Sequence, residues 1–294
     1  MITVFYHHIT EAMRQTQKTF EEIAAECRVH GITGLEMDYN VLRQEGTALA
    51  ERCSAAGLPI VSAYCFFDWG NKNPLSLFKR LGCRLKRTVV QTPEEEGIEA
   101  LLRLKDAGIH NMLVVPGFVP ANATVEVRKQ YKDSMIAAVR VLVKNAGTMG
   151  IQVNMEDFDD ETAVYAKASD LEDFLRSVPE LGCAFDTGNF LYSEEDALKV
   201  LPELLPEIRY VHCKDREWKP LQGIENPEYK ETVSGRKMYA APVGGGIIPM
   251  KEILKILQEF GYDGPIAIEH FGAADYLQTM LQSADWLLEK WRQI

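Results

Sequence analysis

The chain has 294 residues, of which 46% are hydrophobic and 26% are charged, a composition typical of globular proteins and unlike that of disordered chains. A formal net charge of −11, from 32 Lys and Arg against 43 Asp and Glu, argues against a nucleic-acid partner held by phosphate neutralisation. No apolar run approaches the roughly 20 residues of a membrane-spanning helix, so we expect no membrane partner.

The N-terminal residues and the cysteines indicate the cellular compartment. Residues Met1–His8 include no basic segment of the kind that opens a signal peptide, so we expect none. The six cysteines form no C-x-x-C pair, which predicts buried, reduced thiols and a cytoplasmic protein. They are Cys27, Cys53, Cys65, Cys83, Cys183 and Cys213.

Eight short apolar runs alternate with amphipathic stretches along the chain. The apolar runs predict strands at Ile2–Tyr6, Gly34–Asp38, Ile60–Cys65, Met112–Pro116, Ile151–Glu156, Cys183–Asp186, Tyr210–His212 and Ile266–Glu269. Between them, apolar residues spaced three or four apart predict helices, as in Thr19–Cys27 and Met250–Phe260. A glycine precedes most strands, at the place where a helix ends in the left-handed conformation. These glycines are Gly31, Gly57, Gly108, Gly150, Gly182 and Gly261.

The repeated order of strand, helix, glycine and strand predicts parallel strands built from βα units. The alternative, an open doubly wound sheet, would be expected to carry a glycine-rich phosphate turn, and no G-x-G-x-x-G occurs here. We therefore predict an α/β protein with one (β/α)8 TIM-barrel domain over residues 1–294. Two long loops without secondary structure, Phe66–Pro93 and Arg216–Pro242, follow strands and are predicted to contribute to a site at the C-terminal face.

Polar side chains end the last four predicted strands with a common orientation. In Ile151–Glu156, alternate residues are apolar and are predicted to face the helices, which turns Glu156 toward the barrel axis. The same alternation turns Asp186, His212 and Glu269 inward at the ends of the next three strands. Any one of these acids alone would be as typical of a helix N-cap as of a metal site. The shared orientation of all four residues favours a single site that they form together.

Three carboxylates at one end of a barrel repel one another strongly unless a cation lies between them. Together with one imidazole they form a mainly oxygen-donor set. Such a set suits Mn²⁺ or Mg²⁺, with Co²⁺ or Zn²⁺ as alternatives. The sequence therefore predicts one divalent metal ion at the C-terminal face, bound by Glu156, Asp186, His212 and Glu269.

The motifs at the strand ends resemble those of the xylose isomerase-like TIM-barrel superfamily of sugar and sugar phosphate isomerases and epimerases. The resemblance covers nearly the whole chain. The motifs, in family order, are Gly34-Leu35-Glu36, Asn154-Met155-Glu156, Asp186-Thr187-Gly188-Asn189, Val211-His212-Cys213-Lys214-Asp215 and Gly261–Glu269. The resemblance implies that the family's metal quartet falls on the same four residues that strand alternation selects.

The resemblance also implies that Glu36 lines the substrate pocket, although a buried carboxylate there could instead pair with a Lys or Arg. Two positions depart from the keto-sugar 3-epimerases of the family. Asn189 stands where some of them carry His, and Trp218 stands where they carry Arg. Both differences argue against a ketose 3-epimerase. The turn Gly244–Gly246 lacks the acidic residue common in the family and is predicted to be a flexible loop.

Four side chains are further candidates for contact with the substrate. Lys214 has the inward orientation of the metal ligands and is predicted either to face a substrate oxyanion or phosphate or to pair with a carboxylate. Asn189 closes the motif of the sixth strand. Trp69 is typical of stacking on sugar C–H surfaces or of packing within its loop. Of His7 and His8, which end the first predicted strand, one should face the site, and we expect His7 to contact the substrate.

We therefore expect a metal-dependent sugar or sugar phosphate isomerase or epimerase that abstracts a proton beside a carbonyl and forms an enediolate. Glu156 and Glu269 would flank the substrate and move the proton. A dehydratase of inosose or dehydroshikimate type is the alternative because it begins with the same enolisation. An apurinic-site endonuclease is a remote alternative, since it requires many histidines and binds DNA. The expected partner is a small carbohydrate, and homo-oligomerisation remains open.

Overall fold

The computed structural model describes residues 1–70, 91–220 and 227–294. Eight parallel strands close into a barrel because the last strand of the chain pairs with both the first and the seventh. The barrel strands are β1 (Ile2–Phe5), β2 (Ile32–Asp38), β3 (Ile60–Phe66), β4 (Asn111–Val115), β5 (Gln152–Met155), β6 (Gly182–Asp186), β7 (Ile208–Glu217) and β10 (Ile266–Glu269). The predicted TIM-barrel fold is confirmed, and every predicted strand is present.

Ten α-helices within the described ranges surround the barrel. They are α1 (Tyr6–Thr16), α2 (Phe20–Val29), α3 (Tyr39–Glu45), α4 (Thr47–Ala55), α5 (Pro93–Asp106), α6 (Val125–Met149), α7 (Ala168–Ser177), α8 (Ala197–Leu204), α9 (Met250–Phe260) and α10 (Tyr276–Gln293). Their sequences fix their ends, as where Thr19 forms a capping box at the start of α2 and Gly261 takes the left-handed conformation after α9. No helix in the described ranges is both long and apolar enough to cross a membrane.

Five of the six glycines predicted to end helices have a positive φ, and Gly182 is the exception. Gly182 lies inside β6, beside β5. A Cβ atom at this position would come 2.2 Å from Oδ1 of Asn154, so the glycine permits close approach of the two strands. Its predicted role as a helix terminator is wrong.

The seventh strand is longer than predicted and carries a hairpin. β7 continues past His212 to Glu217 and pairs antiparallel with β9 (Lys237–Ala241), which in turn pairs with β8 (Lys230–Glu231). The expectation of a loop without secondary structure over Arg216–Pro242 is therefore wrong for these residues. The other long loop, Phe66–Pro93, lies largely outside the described residues, as does Cys83.

Two apolar regions stabilise the barrel. The outer one lies between strands and helices and contains the residues predicted to face outward, such as Val153, Phe185 and Val211. The inner one fills the barrel with six side chains, Phe5, Tyr64, Leu113, Ala184, Tyr210 and Ala267. Because the interior is packed, the polar side chains that follow it along the strands lie at the C-terminal end, which we call the mouth.

Candidate metal centre

The four predicted metal ligands converge at the mouth. Glu156 directly follows β5, Asp186 ends β6, His212 lies within β7 and Glu269 ends β10. One ligand atom from each residue lies within 4.8 Å of the other three, and all four side chains are buried. Strand register brings them together, since Asp186 lies directly opposite His212 in the neighbouring strand. We call these four residues the quartet.

The imidazole of His212 is oriented by carboxylates on both of its sides. Its Nδ1 atom lies 2.9 Å from Oε2 of Glu156 and 3.3 Å from Oε2 of Glu269, whereas its Nε2 atom lies 3.0 Å from Oε2 of Glu36. Burial alone would lower the pKa of His212, but Glu36 and Glu156 hold this pKa well above its ordinary value. Nδ1 is therefore the ring nitrogen directed at the quartet.

Glu36 does not line the substrate cavity, contrary to the expectation from the family resemblance. Its side chain is fully buried behind His212 and contacts the ring nitrogen that faces away from the quartet. A carboxylate in this place fixes the tautomer and orientation of a metal-binding histidine and makes it a better ligand. The partner of this buried carboxylate is thus His212 of β7, and not the Lys or Arg that was the alternative.

The carboxylates of the quartet have unequal proton affinities. Burial raises the pKa of Glu156 to about 7 and that of Asp186 to about 6, because it disfavours the charged form. Burial would also raise the pKa of Glu269, but Lys214 and the hydrogen bond to His212 lower it below its ordinary value. Without a metal ion, the protonated imidazole and the Lys214 ammonium thus supply the positive charge that three carboxylates require.

The donor atoms fit a divalent cation. Oδ1 of Asp186 accepts backbone N–H bonds from Gly188 and Asn189, each at 2.8 Å. Its Oδ2 is buried and has no hydrogen-bond partner among the described residues, although Nζ of Lys214 lies 3.1 Å away in an ion pair. This atom lies 3.9 Å from Nδ1 of His212 and is the Asp186 oxygen that would bind a metal. Three carboxylates and one imidazole form a donor set for Mn²⁺, Mg²⁺, Co²⁺ or Zn²⁺.

Lys214 lies between the quartet and the open space of the mouth. Its Nζ atom contacts Oε1 of Glu269 at 2.5 Å and donates to Oδ1 of Asn189 at 2.6 Å. Burial would lower the pKa of Lys214, but Asp186 and Glu269 raise it, so the side chain stays charged. Lys214 therefore pairs with carboxylates, as one interpretation expected, and it also lines the cavity, while its contact with a substrate oxyanion or phosphate stays a prediction.

A cavity of about 500 Å³ opens above the quartet, a volume that suits a small ligand. Glu156 and Glu269 line it, and so do three of the predicted substrate-binding residues, His7, Asn189 and Lys214. Its apolar lining includes Tyr64, Phe66, Leu113, Val115 and Phe158. Its charged lining includes Asp38, Asp159, Lys214, Arg216, Glu228 and Lys230.

Trp69 is not among the residues that line this cavity. Its indole stacks on Phe67 with ring centroids 4.0 Å apart, and its Nε1–H donates to Glu96 at 2.9 Å. Phe66, at the end of β3, does line the cavity. The structure thus gives Trp69 the packing role that was the alternative to sugar stacking.

His7 and His8 lie in the first turn of α1, because β1 ends at Phe5, and not at the end of a strand as predicted. His7 faces the cavity, as expected. His8 is buried, and its Nε2 accepts the backbone N–H of His270 at 3.0 Å.

Asp215 and the glycine turn form a structural unit that the sequence did not reveal. The buried Asp215 carboxylate accepts backbone N–H bonds from Arg216, Gly244, Gly246 and Ile248 at 2.8–3.2 Å. A Cβ atom on Gly246 would come 2.3 Å from Oδ1 of Asp215, so the turn needs glycine there. Three of these bonds, from Gly244, Gly246 and Ile248, hold the turn, so the prediction of a flexible loop is wrong.

Three cavity residues, Asp159, Arg216 and Lys230, were also absent from the sequence-based candidates. A signal for Arg216 existed, since it continues the alternation of His212 and Lys214, but the strand was predicted to end at His212. Asp159 lies in a run of acids after β5, and Lys230 lies in the β8–β9 hairpin. Neither carries a local motif that indicates a site.

Comparisons with known proteins agree with this geometry. A family described as xylose isomerase-like TIM barrel matches residues 24–290. An inosose dehydratase of Clostridium perfringens (strain 13) is 32% identical over 85 residues, which cover 29% of this chain and 29% of that protein. The match thus spans less than a third of the length of this curated relative.

Two solved structures illustrate the shared fold. The D-allulose 3-epimerase from Methylomonas sp. aligns with a TM-score of 0.70 at 15% identity, covering 98% of this chain and 97% of its own. The IOLI protein, solved with a bound zinc atom, aligns with a TM-score of 0.69 at 14% identity, and the alignment covers 99% of this chain and 98% of the IOLI chain. At such identities the two alignments concern the fold alone.

Proposed function

This chain belongs to the xylose isomerase-like TIM-barrel family, and we propose that it is a divalent-metal-dependent enzyme that removes a proton from the carbon beside a substrate carbonyl, as a sugar or sugar phosphate isomerase or epimerase. The observation that carries the proposal is the convergence of the quartet at the floor of a cavity of small-ligand size. The substrate is a small carbohydrate with a carbonyl group.

The quartet residues would hold the metal ion, with His212 binding through Nδ1 and Glu36 fixing the ring from behind. When bound, a divalent cation polarises a carbonyl oxygen and makes the neighbouring C–H more acidic. Mn²⁺ is our first choice because three of the four ligands are carboxylates.

Glu156 and Glu269 are the proposed proton carriers. Both side chains line the cavity, whereas Asp186 and His212 are fully buried beneath it. Oε2 of each glutamate faces His212. We assign proton removal to Oε1 of Glu156, which makes no hydrogen bond within the described residues. On the opposite face, Oε1 of Glu269 would pass to the substrate a proton taken from the Lys214 ammonium that it contacts. Glu156 would then lose its proton to solvent, and Lys214 would regain one, before the next turnover.

Lys214 is proposed to stabilise the negative charge that develops on the substrate oxygen during enolisation. Its ammonium group faces the cavity and is held by Asn189 at 2.6 Å. Asn189 in turn donates to the backbone oxygen of Asp157 at 2.8 Å, which fixes the amide so that its oxygen faces the lysine.

A dehydratase that acts on an inosose-type substrate is the second candidate. The similarity to an inosose dehydratase favours it, although that similarity covers only 29% of this chain. Its first step would use the same glutamates, and the enediolate would then expel a β-hydroxyl instead of taking back the proton. The product would be an enone, which absorbs in the ultraviolet, whereas an isomerase or epimerase would produce no such absorbance.

Incubation of the Mn²⁺-loaded protein in heavy water with ketoses, aldoses and inososes tests the proposal. We expect carbon-bound deuterium in recovered substrate or product for at least one compound, because both candidate reactions begin with proton exchange. A chelated sample and Asp186→Ala should show none, while the exposed-site control Asp285→Ala should match the wild type. Exchange that persists equally in the chelated sample would contradict a role for the metal.

A further inference from the structure

Two cationic side chains that line the cavity have more hydrogen-bond donors than their protein partners use. Arg216 lies in β7 and is 5% exposed, and its Nη2 donates to Oδ2 of Asp159 at 3.1 Å. Nζ of Lys230 donates to Oδ1 of the same carboxylate at 2.8 Å and to its backbone oxygen at 3.0 Å. All three residues line the cavity.

One carboxylate leaves this pair of cations with a net charge of +1. A guanidinium group has five N–H donors, yet within residues 1–70, 91–220 and 227–294 only Nη2 of Arg216 has a protein acceptor. Nε of Arg216 is buried and without a partner in that part of the chain. Asp38 and Glu228 also line the cavity, but among the described residues neither forms an ion pair with Arg216 or Lys230. Burying N–H groups of a cation without acceptors costs free energy, and a bound anion that accepts hydrogen bonds from them removes this cost.

The position of Arg216 relative to the quartet follows from the strand. His212, Lys214 and Arg216 alternate along β7 and face the same side. At about 3.3 Å per residue, the Cα atom of Arg216 lies roughly 13 Å beyond that of His212. The quartet therefore lies at the floor of the cavity and the two cations lie toward its opening, and the rings of Phe66 and Phe158 also line the cavity.

We propose that Arg216 and Lys230 form a subsite for an anionic group of the substrate, a carboxylate or a phosphate. This inference rests on the proposed function and narrows its substrate class to polyhydroxy carbonyl compounds that carry a negative charge at the end remote from the reacting carbonyl. Asp159 positions the two cations and accepts from both. The free N–H groups of Arg216 and the third N–H of Lys230 bind the anion.

Binding of unreactive analogues tests the subsite independently of catalysis. The probes are two pairs that lack a carbonyl group, ribitol with ribitol 5-phosphate and myo-inositol with quinate, titrated calorimetrically into the Mn²⁺-loaded protein. The first pair isolates a phosphate and the second a carboxylate. We expect the anionic member of one pair to bind at least about tenfold more tightly than its neutral partner, the gain of charge-assisted hydrogen bonds. The preferred pair then identifies the source of the anion.

Three variants assign that preference to the proposed residues. Arg216→Gln and Lys230→Met should each reduce the ratio of anionic to neutral affinity by about 5- to 50-fold, and Arg216→Lys should reduce it less than Arg216→Gln. Arg209→Gln is the matched control, because Arg209 lies at the opposite end of the same strand, and it should keep the wild-type ratio. Thermal unfolding of each variant verifies that it is folded.

Equal affinities within both pairs, or failure of both anionic probes to bind, would overturn the subsite. So would a preference that Arg216→Gln and Lys230→Met leave intact. The proposed function would survive either result if neutral ketoses or inososes still exchanged deuterium. Conversely, an anion preference that these variants abolish supports the subsite even where no tested carbonyl compound exchanges.

Discussion

Replacement of Glu36 by Gln should weaken metal binding by about tenfold without removing any ligand. The Glu36 carboxylate accepts a charge-assisted hydrogen bond from His212, and such bonds contribute about 1.5–3 kcal/mol, against about 1 kcal/mol for a neutral acceptor. The difference of about 0.5–2 kcal/mol corresponds to a roughly 2- to 30-fold change in affinity, with tenfold near the middle of this range. This estimate meets the low end of the 10–100-fold losses typical of residues that orient metal ligands.

The loss should depend on pH in a definite direction. The charge of Glu36 helps to raise the pKa of His212, so Glu36→Gln lowers that pKa and the proton competes less with the metal. Competition between the proton on His212 and the metal ion is stronger in the wild type than in the variant, and it weakens as pH rises. The ratio of variant to wild-type Kd should therefore be small near pH 6 and should grow toward about tenfold near pH 8.5.

Calorimetric titration with Mn²⁺ at the two pH values measures this ratio. Asp38→Asn is the matched control, since Asp38 lies two residues further along the same strand and lines the cavity instead of contacting His212. Asn also preserves the N-cap that Asp38 provides to α3. An unchanged Kd for Glu36→Gln at both pH values, or an equal loss in Asp38→Asn, would refute the role of Glu36 behind the histidine.

Three further predictions concern the quartet and its support. Glu156→Gln and Glu269→Gln should each lower kcat at least about 10²-fold, because an amide cannot accept the proton. Each variant should lose less affinity for Mn²⁺ than His212→Ala does. Turnover near the wild-type rate in either glutamine variant with metal bound would contradict this. Binding of Mn²⁺ near pH 7 should release between one and two protons, since the pKa of His212 is raised and that of Glu156 is about 7. The affinity for Mn²⁺ should therefore rise with pH. Calorimetry in buffers of different ionisation enthalpy measures the number of protons released, and a value of zero would contradict the prediction. The Asp215→Asn side chain can accept from only some of the four backbone N–H groups, so this variant should lose about 2–4 kcal/mol of the free energy of unfolding. We expect its Tm to be lower by several degrees, whereas Asp285→Asn, at an exposed position, should have a Tm close to that of the wild type.

The quartet could be predicted because barrel strands obey a strict alternation. One side of each strand must be apolar to pack against helices, as Val153 and Phe185 do, so the polar residue at the strand end faces inward. Four strands that end in this way bring their side chains to one place, whichever residues connect them. The same alternation turned Lys214 toward the cavity, whereas Asn189 was suggested by the family motif.

The contacts that the sequence did not reveal depend on pairing between distant segments. β7 continues to Glu217 because β9 pairs with it, and a strand predicted to end at His212 conceals Arg216. The orientation of Trp69 depends on a hydrogen bond to Glu96, 27 residues further along the chain. Such partners have no local pattern, so their effects become visible only in the folded chain.

Anomalous diffraction from crystals of the Mn²⁺-loaded protein tests the central claim most directly. We expect one strong peak per chain, in contact with Glu156, Asp186, Glu269 and the Nδ1 atom of His212, with Nε2 still bonded to Glu36. A peak elsewhere in the chain, or contact through Nε2, would contradict the assignment of the metal centre on which the proposed chemistry depends.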